Sequence, residues 1–135
     1  VVFADPDLAD GFGIWQKGSL QLPAKARFVS AQLSALLTEG LGLAIAGYAN
    51  GIASLLAERL SGLEGVVIAQ PVEANIVFCS LPLEPARKFV DASAPNRPLL
   101  FELGDHGLVR LVASWDSSEA DVERAVGLVS ASLGA

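Results

Sequence analysis

The sequence predicts an α+β fold, an antiparallel sheet with helices packed on one face, and three observations point there. From residue 28 onward, stretches of helical spacing and short strand-like runs follow in the order α-α-β-β-α-β-β-α. Residues 99–103 and 108–115 are apolar runs joined by Gly104-Asp105-His106-Gly107, turn chemistry in which glycines accept positive φ and the Asp bonds its own backbone. Finally, 135 residues at 52% hydrophobic and 18% charged suffice for one domain with a real core.

In chain order, Val1–Ala4 reads as a short buried strand. Asp5-Pro6 starts a short helix, Asp as cap and Pro at the first position, that stops by Gly11 or Gly13. Residues 14–26, IWQKGSLQLPAKA, have no clear period and read as a loop; Lys17, Lys25 and the adjoining Arg27 give it local positive charge. Phe28, Gln32, Leu33, Leu36 and Leu37 fall on one face of a helix that Glu39-Gly40 breaks, and Leu43–Leu60 resumes it. Residues 40–57 carry no charge and approach the length of a membrane span. Gly40, Gly42, Gly47, Gly51, Tyr48, Asn50 and Ser54 dilute their hydrophobicity, and Gly47-x-x-x-Gly51 suits close helix packing in a soluble core.

Val66–Ala69 and Asn75–Leu81 are the next strands. Alternation puts Ile76, Phe78 and Ser80 on one face and Val77, Cys79 and Leu81 on the other, so Cys79 reads as a small buried hydrophobe. Pro82 ends that strand, Glu84-Pro85 opens a helix through about Ala92, and residues 93–98 form a loop before the hairpin. Asp116 or Ser117 caps the last helix, about Ser118–Ser132, with Glu119 and Asp121 in its first turn and Val122, Ala125, Val126 and Val129 on one stripe.

One residue is discordant. Arg110 sits among Leu108, Val109, Leu111 and Val112, where an unpaired buried guanidinium costs several kcal/mol, roughly, so it must meet an anion or water. Its planar fork suits a carboxylate bidentately. If Leu103 pairs with Leu108, Phe101 faces Arg110; a slip of one residue brings Glu102 opposite instead. A structural partner, solvent and a ligand carboxylate all remain open at this point.

Composition narrows the rest. A net charge of −6 and nine scattered basic residues argue against nucleic acid or an anionic membrane as partner. A single cysteine gives neither an internal disulfide nor a metal cluster and fits a reducing, cytoplasmic compartment. The start lacks the basic region of a signal peptide. The chain begins VVFADPDL rather than with an initiator and has no methionine, so it reads as part of a longer protein. A mean hydropathy of +0.48 leaves surplus apolar surface for a missing domain or another subunit to cover. Dinucleotide, phosphate-loop, serine-hydrolase and zinc-protease motifs are absent, and His106, the sole histidine, lies at a turn tip.

RFVSAQLSALL at 27–37, ANGIASLLAERLSGLEGVVIAQPVEANIVFCSLP at 49–82 and LVRLVASWDSSEADVERAV at 108–126 resemble the C-terminal part of low-specificity L-threonine aldolases. VVFADPDLADGF at 1–12 is similar to the segment that follows that family's pyridoxal-binding lysine. The resemblance implies the small C-terminal domain of a fold-type-I pyridoxal phosphate enzyme, residues 27–135 with its long helix pair, preceded by a tail of the large domain at 1–26. It implies cleavage of threonine or allo-threonine to glycine and acetaldehyde by a homo-oligomer, commonly a tetramer. Arg110 stands where the family's arginine holds the substrate α-carboxylate, which would orient the Cα–Cβ bond for the cofactor to draw its electrons. Lys17 matches a lysine near the active site, and Arg27 an arginine that reaches the cofactor phosphate of a neighbouring subunit. The lysine, aspartate, histidine and glycine-rich loop that hold the cofactor precede residue 1 in that family, so the chain alone is expected neither to bind pyridoxal phosphate covalently nor to cleave threonine. Two other readings stand beside this one: a self-association or binding module without catalysis, and the small domain of a phenylserine aldolase or aminotransferase.

Overall fold

A computed structural model describes residues 3–21, 24–93, 100–103 and 105–134. The chain divides into two compact units, Val1–Leu41 and Gly42–Ala135.

The first unit is helical. Pro6–Ala9 forms a 3-10 turn whose Asp5 cap accepts a hydrogen bond from the Asp7 amide at 3.0 Å. Gly11 at φ 72° then redirects the chain into α1, Phe12–Gly18. This corrects the loop reading of residues 14–26. The helix has no buried residue, and Ile14 and Trp15 are 80% and 79% exposed, so no apolar stripe advertises it in the sequence. Of the strand expected at Val1–Ala4, the first two residues lie outside the described ones; Phe3 and Ala4 are irregular, and the Phe3 ring meets Phe12 edge-on at 5.0 Å. Helix α2, Ala26–Leu37, ends where Glu39 and Gly40 take left-handed φ of 60° and 75°, the break the sequence indicates.

Helix α3, Leu41–Ser61, which from Gly42 on belongs to the second unit, buries Ala49, Ile52, Ala53, Leu56 and Leu60, a stripe at helical spacing. It is long and apolar enough to cross a membrane by length and composition, and this stripe forms part of the unit's core. Gly47 and Gly51 lie away from that stripe, with nothing within 4 Å of where a Cβ would sit. The expected packing role for the pair is therefore corrected: Ile52, Leu56 and Leu60 fix the inward side, and the glycines fall opposite.

The sheet runs β1-β2-β4-β3, antiparallel throughout, from β1 Val67–Ile68, β2 Ile76–Ser80, β3 Leu100–Leu103 and β4 Leu108–Val112. Helices α4, Leu83–Ser93, and α5, Glu119–Leu133, join α3 on one of its faces. Val77, Cys79, Leu81, Val109 and Leu111 meet Phe89 of α4 and Val122, Ala125 and Val129 of α5 there. This is the α+β arrangement the sequence predicts. The loop expected at 93–98 lies, from residue 94 on, outside the described residues.

Register departs from the Leu103–Leu108 pairing. Leu103 pairs with Val109, so Glu102 is the register partner of Arg110. The connection absorbs the extra residue because His106 and Gly107 both take left-handed φ, 59° and 80°. The Gly107 carbonyl accepts from the Leu81 amide at 3.2 Å, which pins the turn to the end of β2.

Cys79 lies on the core face, and burial pushes its thiol up to about 11. A thiol reagent at neutral pH is expected to label it only as the chain unfolds, so labelling should track the denaturant transition monitored by circular dichroism. Labelling at a fixed rate across the native baseline would contradict the packing.

The cap of α5 is Ser118 rather than Asp116 or Ser117. Ser118 Oγ accepts from the Asp121 amide at 3.3 Å while Asp121 Oδ2 accepts from the Ser118 amide at 2.9 Å, a reciprocal capping box. Ser117 is engaged elsewhere, its hydroxyl accepting from the Ser114 amide at 2.9 Å. The Ser118 hydroxyl and amide, with Arg124 adding, hold the Asp121 carboxyl below its ordinary range. A lowered carboxylate contributes stability above its ordinary pKa and loses it as pH falls through the lowered one. Ser118→Ala should cost about 1 kcal/mol at neutral pH. In thermal melts that difference should shrink in acid; a constant difference would place the loss outside the capping box.

Candidate substrate-binding face

β4 alternates strictly. Val109 and Leu111 are buried against the helices, while Leu108 and Arg110 are exposed and Val112 is half-buried on the opposite face. β2 shares that outer face through Ile76, Phe78 and Ser80, all half-buried, in register with Val112, Arg110 and Leu108. Arg110 therefore projects from a largely apolar sheet face, with Phe78 as its register partner on β2 and Glu102 on β3.

Past the end of β4, whose Val112 stands two residues from Arg110, a cleft lies between α3 and the sheet; Arg110 is not among its lining residues. Its volume is about 370 Å³. Ile45, Ala46, Ala49 and Asn50 of α3 form one wall, and Asn75 with residues 112–115 the other. The loop leaving β4 is fixed from three sides. The Asn75 side-chain amide donates to the Ala113 carbonyl at 2.7 Å, and the Ala113 amide donates to the Asn75 carbonyl at 2.8 Å. The Tyr48 hydroxyl donates to the Ser117 carbonyl at 2.8 Å, and Ser117 closes its own turn on Ser114. Trp115 stands 68% exposed at the rim. An apolar cleft with two carboxamides suits a small, partly polar molecule.

Lys17 lies exposed on α1 and Arg27 exposed on α2, its guanidinium 4.9 Å above the Phe28 ring. Both belong to the first unit and Arg110 to the second. His106 is exposed at the turn. The described residues contain no cluster of three or more metal-ligating side chains. Sequence reasoning missed Asn75 and Tyr48. The resemblance at 49–82 covered the first without giving it a task, and Tyr48 figured only as a residue that dilutes the hydrophobicity of its helix.

No family model matches the chain. It is 36% identical over 124 residues to the low specificity L-threonine aldolase of Pseudomonas aeruginosa, covering 92% of this chain and 34% of that protein. It is 35% identical over 122 residues to the low specificity L-threonine aldolase of a second Pseudomonas strain, covering 90% of this chain. The chain thus spans about a third of the length of the curated relatives it matches, in their C-terminal region. Its fold is found in the crystal structure of Oryza sativa TDC with PLP and tryptamine, at a TM-score of 0.52 and 12% identity over 64% of this chain and 22% of that one.

Proposed function

We propose that this chain is the C-terminal segment of a pyridoxal-phosphate-dependent aldolase that cleaves threonine or allo-threonine to glycine and acetaldehyde, and that Arg110 holds the substrate α-carboxylate. The observation that carries the reading is 36% identity to a threonine aldolase across 92% of the chain. The position of Arg110 supports it: a planar cation exposed on a largely apolar sheet face, on the strand whose far end, at Val112, walls a cleft of amino-acid size. In this reading residues 1–26 are the tail of the large domain and residues 27–135 the helix pair and small domain. Lys17 neighbours the active site, Arg27 reaches toward the cofactor phosphate of an adjacent subunit, and the whole works as a cytoplasmic homo-oligomer.

The cleft in this chain does not itself fit the cofactor. Its lining has no lysine to bond an aldehyde and no arginine to meet a phosphate. The cofactor's lysine and phosphate loop are accordingly assigned to the part of the parent protein outside this chain. What Arg110 contributes is orientation: two parallel N–H···O bonds fix a carboxylate in plane and position, which a point charge cannot do.

One observation favours a second reading. The register position of Glu102 makes a cross-strand pair within the sheet the competing task for Arg110. Incubating the 135-residue chain with pyridoxal phosphate and threonine tests the division of labour. The expected result is no acetaldehyde and no borohydride-trapped lysine adduct; a trapped adduct on this chain would overturn it. The same incubation with full-length protein should give both.

A further inference from the structure

The geometry points to Asn75 as the positioning residue that sets the register of β4 and thereby aims Arg110. The inference rests on the carboxylate role proposed for Arg110. β2 and β4 pair from Ile76–Val112 to Ser80–Leu108, and Asn75 faces Ala113 one step beyond the last of those pairs. There the Ala113 amide donates to the Asn75 main-chain carbonyl at 2.8 Å, as a ladder would continue. The return bond comes from the side chain: Asn75 Nδ2 donates to the Ala113 carbonyl at 2.7 Å. A carboxamide thus does at the strand's end what a backbone N–H does within it, which lets the preceding residues leave the sheet while the pairing stays locked.

That lock matters because the side-chain period of a strand is two. A shift of β4 by one residue would carry Arg110 to the face where Val109 and Leu111 are buried and bring an apolar side chain out in its place. Ala113 is 1% exposed, so its peptide groups have no access to water as a substitute partner for Asn75. Asn75 also lines the cleft with Val112, two residues from Arg110 along β4, which leaves open space for a larger side chain.

Asn75→Asp keeps the shape and removes the donor, setting a carboxylate oxygen against the Ala113 carbonyl. In full-length protein it should raise KM for threonine about tenfold with kcat changed less than about threefold, the pattern of lost substrate positioning. Combined with Arg110→Lys, it should add little to the KM of Arg110→Lys alone, because both act through one contact. Asn75→His, whose Nδ1–H falls near the amide nitrogen, should restore KM to within about threefold of wild type. Multiplicative KM effects in the double variant, or parallel losses in kcat and KM, would overturn the positioning role. If Arg110→Lys leaves KM unchanged, the carboxylate assignment itself fails, a result separate from either. Should Asn75→Asp not fold, the His variant decides alone: a KM more than tenfold above wild type in folded protein sinks the inference.

Discussion

Replacing Arg110 by lysine in the full-length protein is expected to raise KM for threonine by roughly ten- to a hundredfold while the cofactor absorbance spectrum stays unchanged. The size follows from what is removed. Lysine keeps the charge but not the fork, so one of two charge-assisted hydrogen bonds to the carboxylate is lost, about 1.5–3 kcal/mol, and 1.4 kcal/mol is tenfold. The competing task predicts a different pattern. An exposed cross-strand ion pair is worth about 1 kcal/mol or less, so if pairing with Glu102 were the whole role of Arg110, the variant would lose a little stability and no affinity. Glu102→Gln separates the two. With substrate as the partner that matters, KM should hold or fall, since a competing carboxylate is gone. With Glu102 as that partner, Glu102→Gln and Arg110→Lys should lower the melting temperature alike and leave KM alone.

The sheet and its helices were legible because each element buries one face of a regular period. Val77, Cys79 and Leu81 alternate with half-buried neighbours, and Val122, Ala125 and Val129 recur at helical spacing, so composition and orientation say the same thing. Helix α1 was not legible for the converse reason: with no residue buried, nothing in its order of apolar and polar positions is constrained. The cap of α5 moved because Ser117, Ser118 and Asp116 have similar capping chemistry, and only the engagement of Ser117 by Ser114 selects Ser118. Gly47 and Gly51 misled because a small-residue pair says that close approach is possible, not that a neighbour is there. In the candidate site the sequence exposed Arg110 as a charge among apolar residues. It hid Asn75, whose partner Ala113 lies 38 residues away, since an asparagine before a strand looks like any turn residue until the strand beside it is in place.

Gly107→Ala should be the most damaging single-atom change in the second unit. Two costs add at that position. The residue holds φ 80°, where an L side chain is strained by about 1 kcal/mol. The added Cβ would also run into the carbonyl oxygen of Leu81, which is backbone at the end of β2 and has no rotamer by which to withdraw. Relief requires the turn to lift, and lifting breaks the bond from the Leu81 amide to the Gly107 carbonyl that ties the hairpin to β2. Together these predict a loss of about 3 kcal/mol, or more than about 10 °C in melting temperature for a unit of this size. His106→Gly provides the contrast. His106 is exposed and also left-handed, φ 59°, so removing its side chain relieves strain and should raise the melting temperature slightly. Equal and small effects for the two substitutions would mean that the turn is not pressed against β2, and that the register placing Glu102 across from Arg110 is not held from this end of the strand.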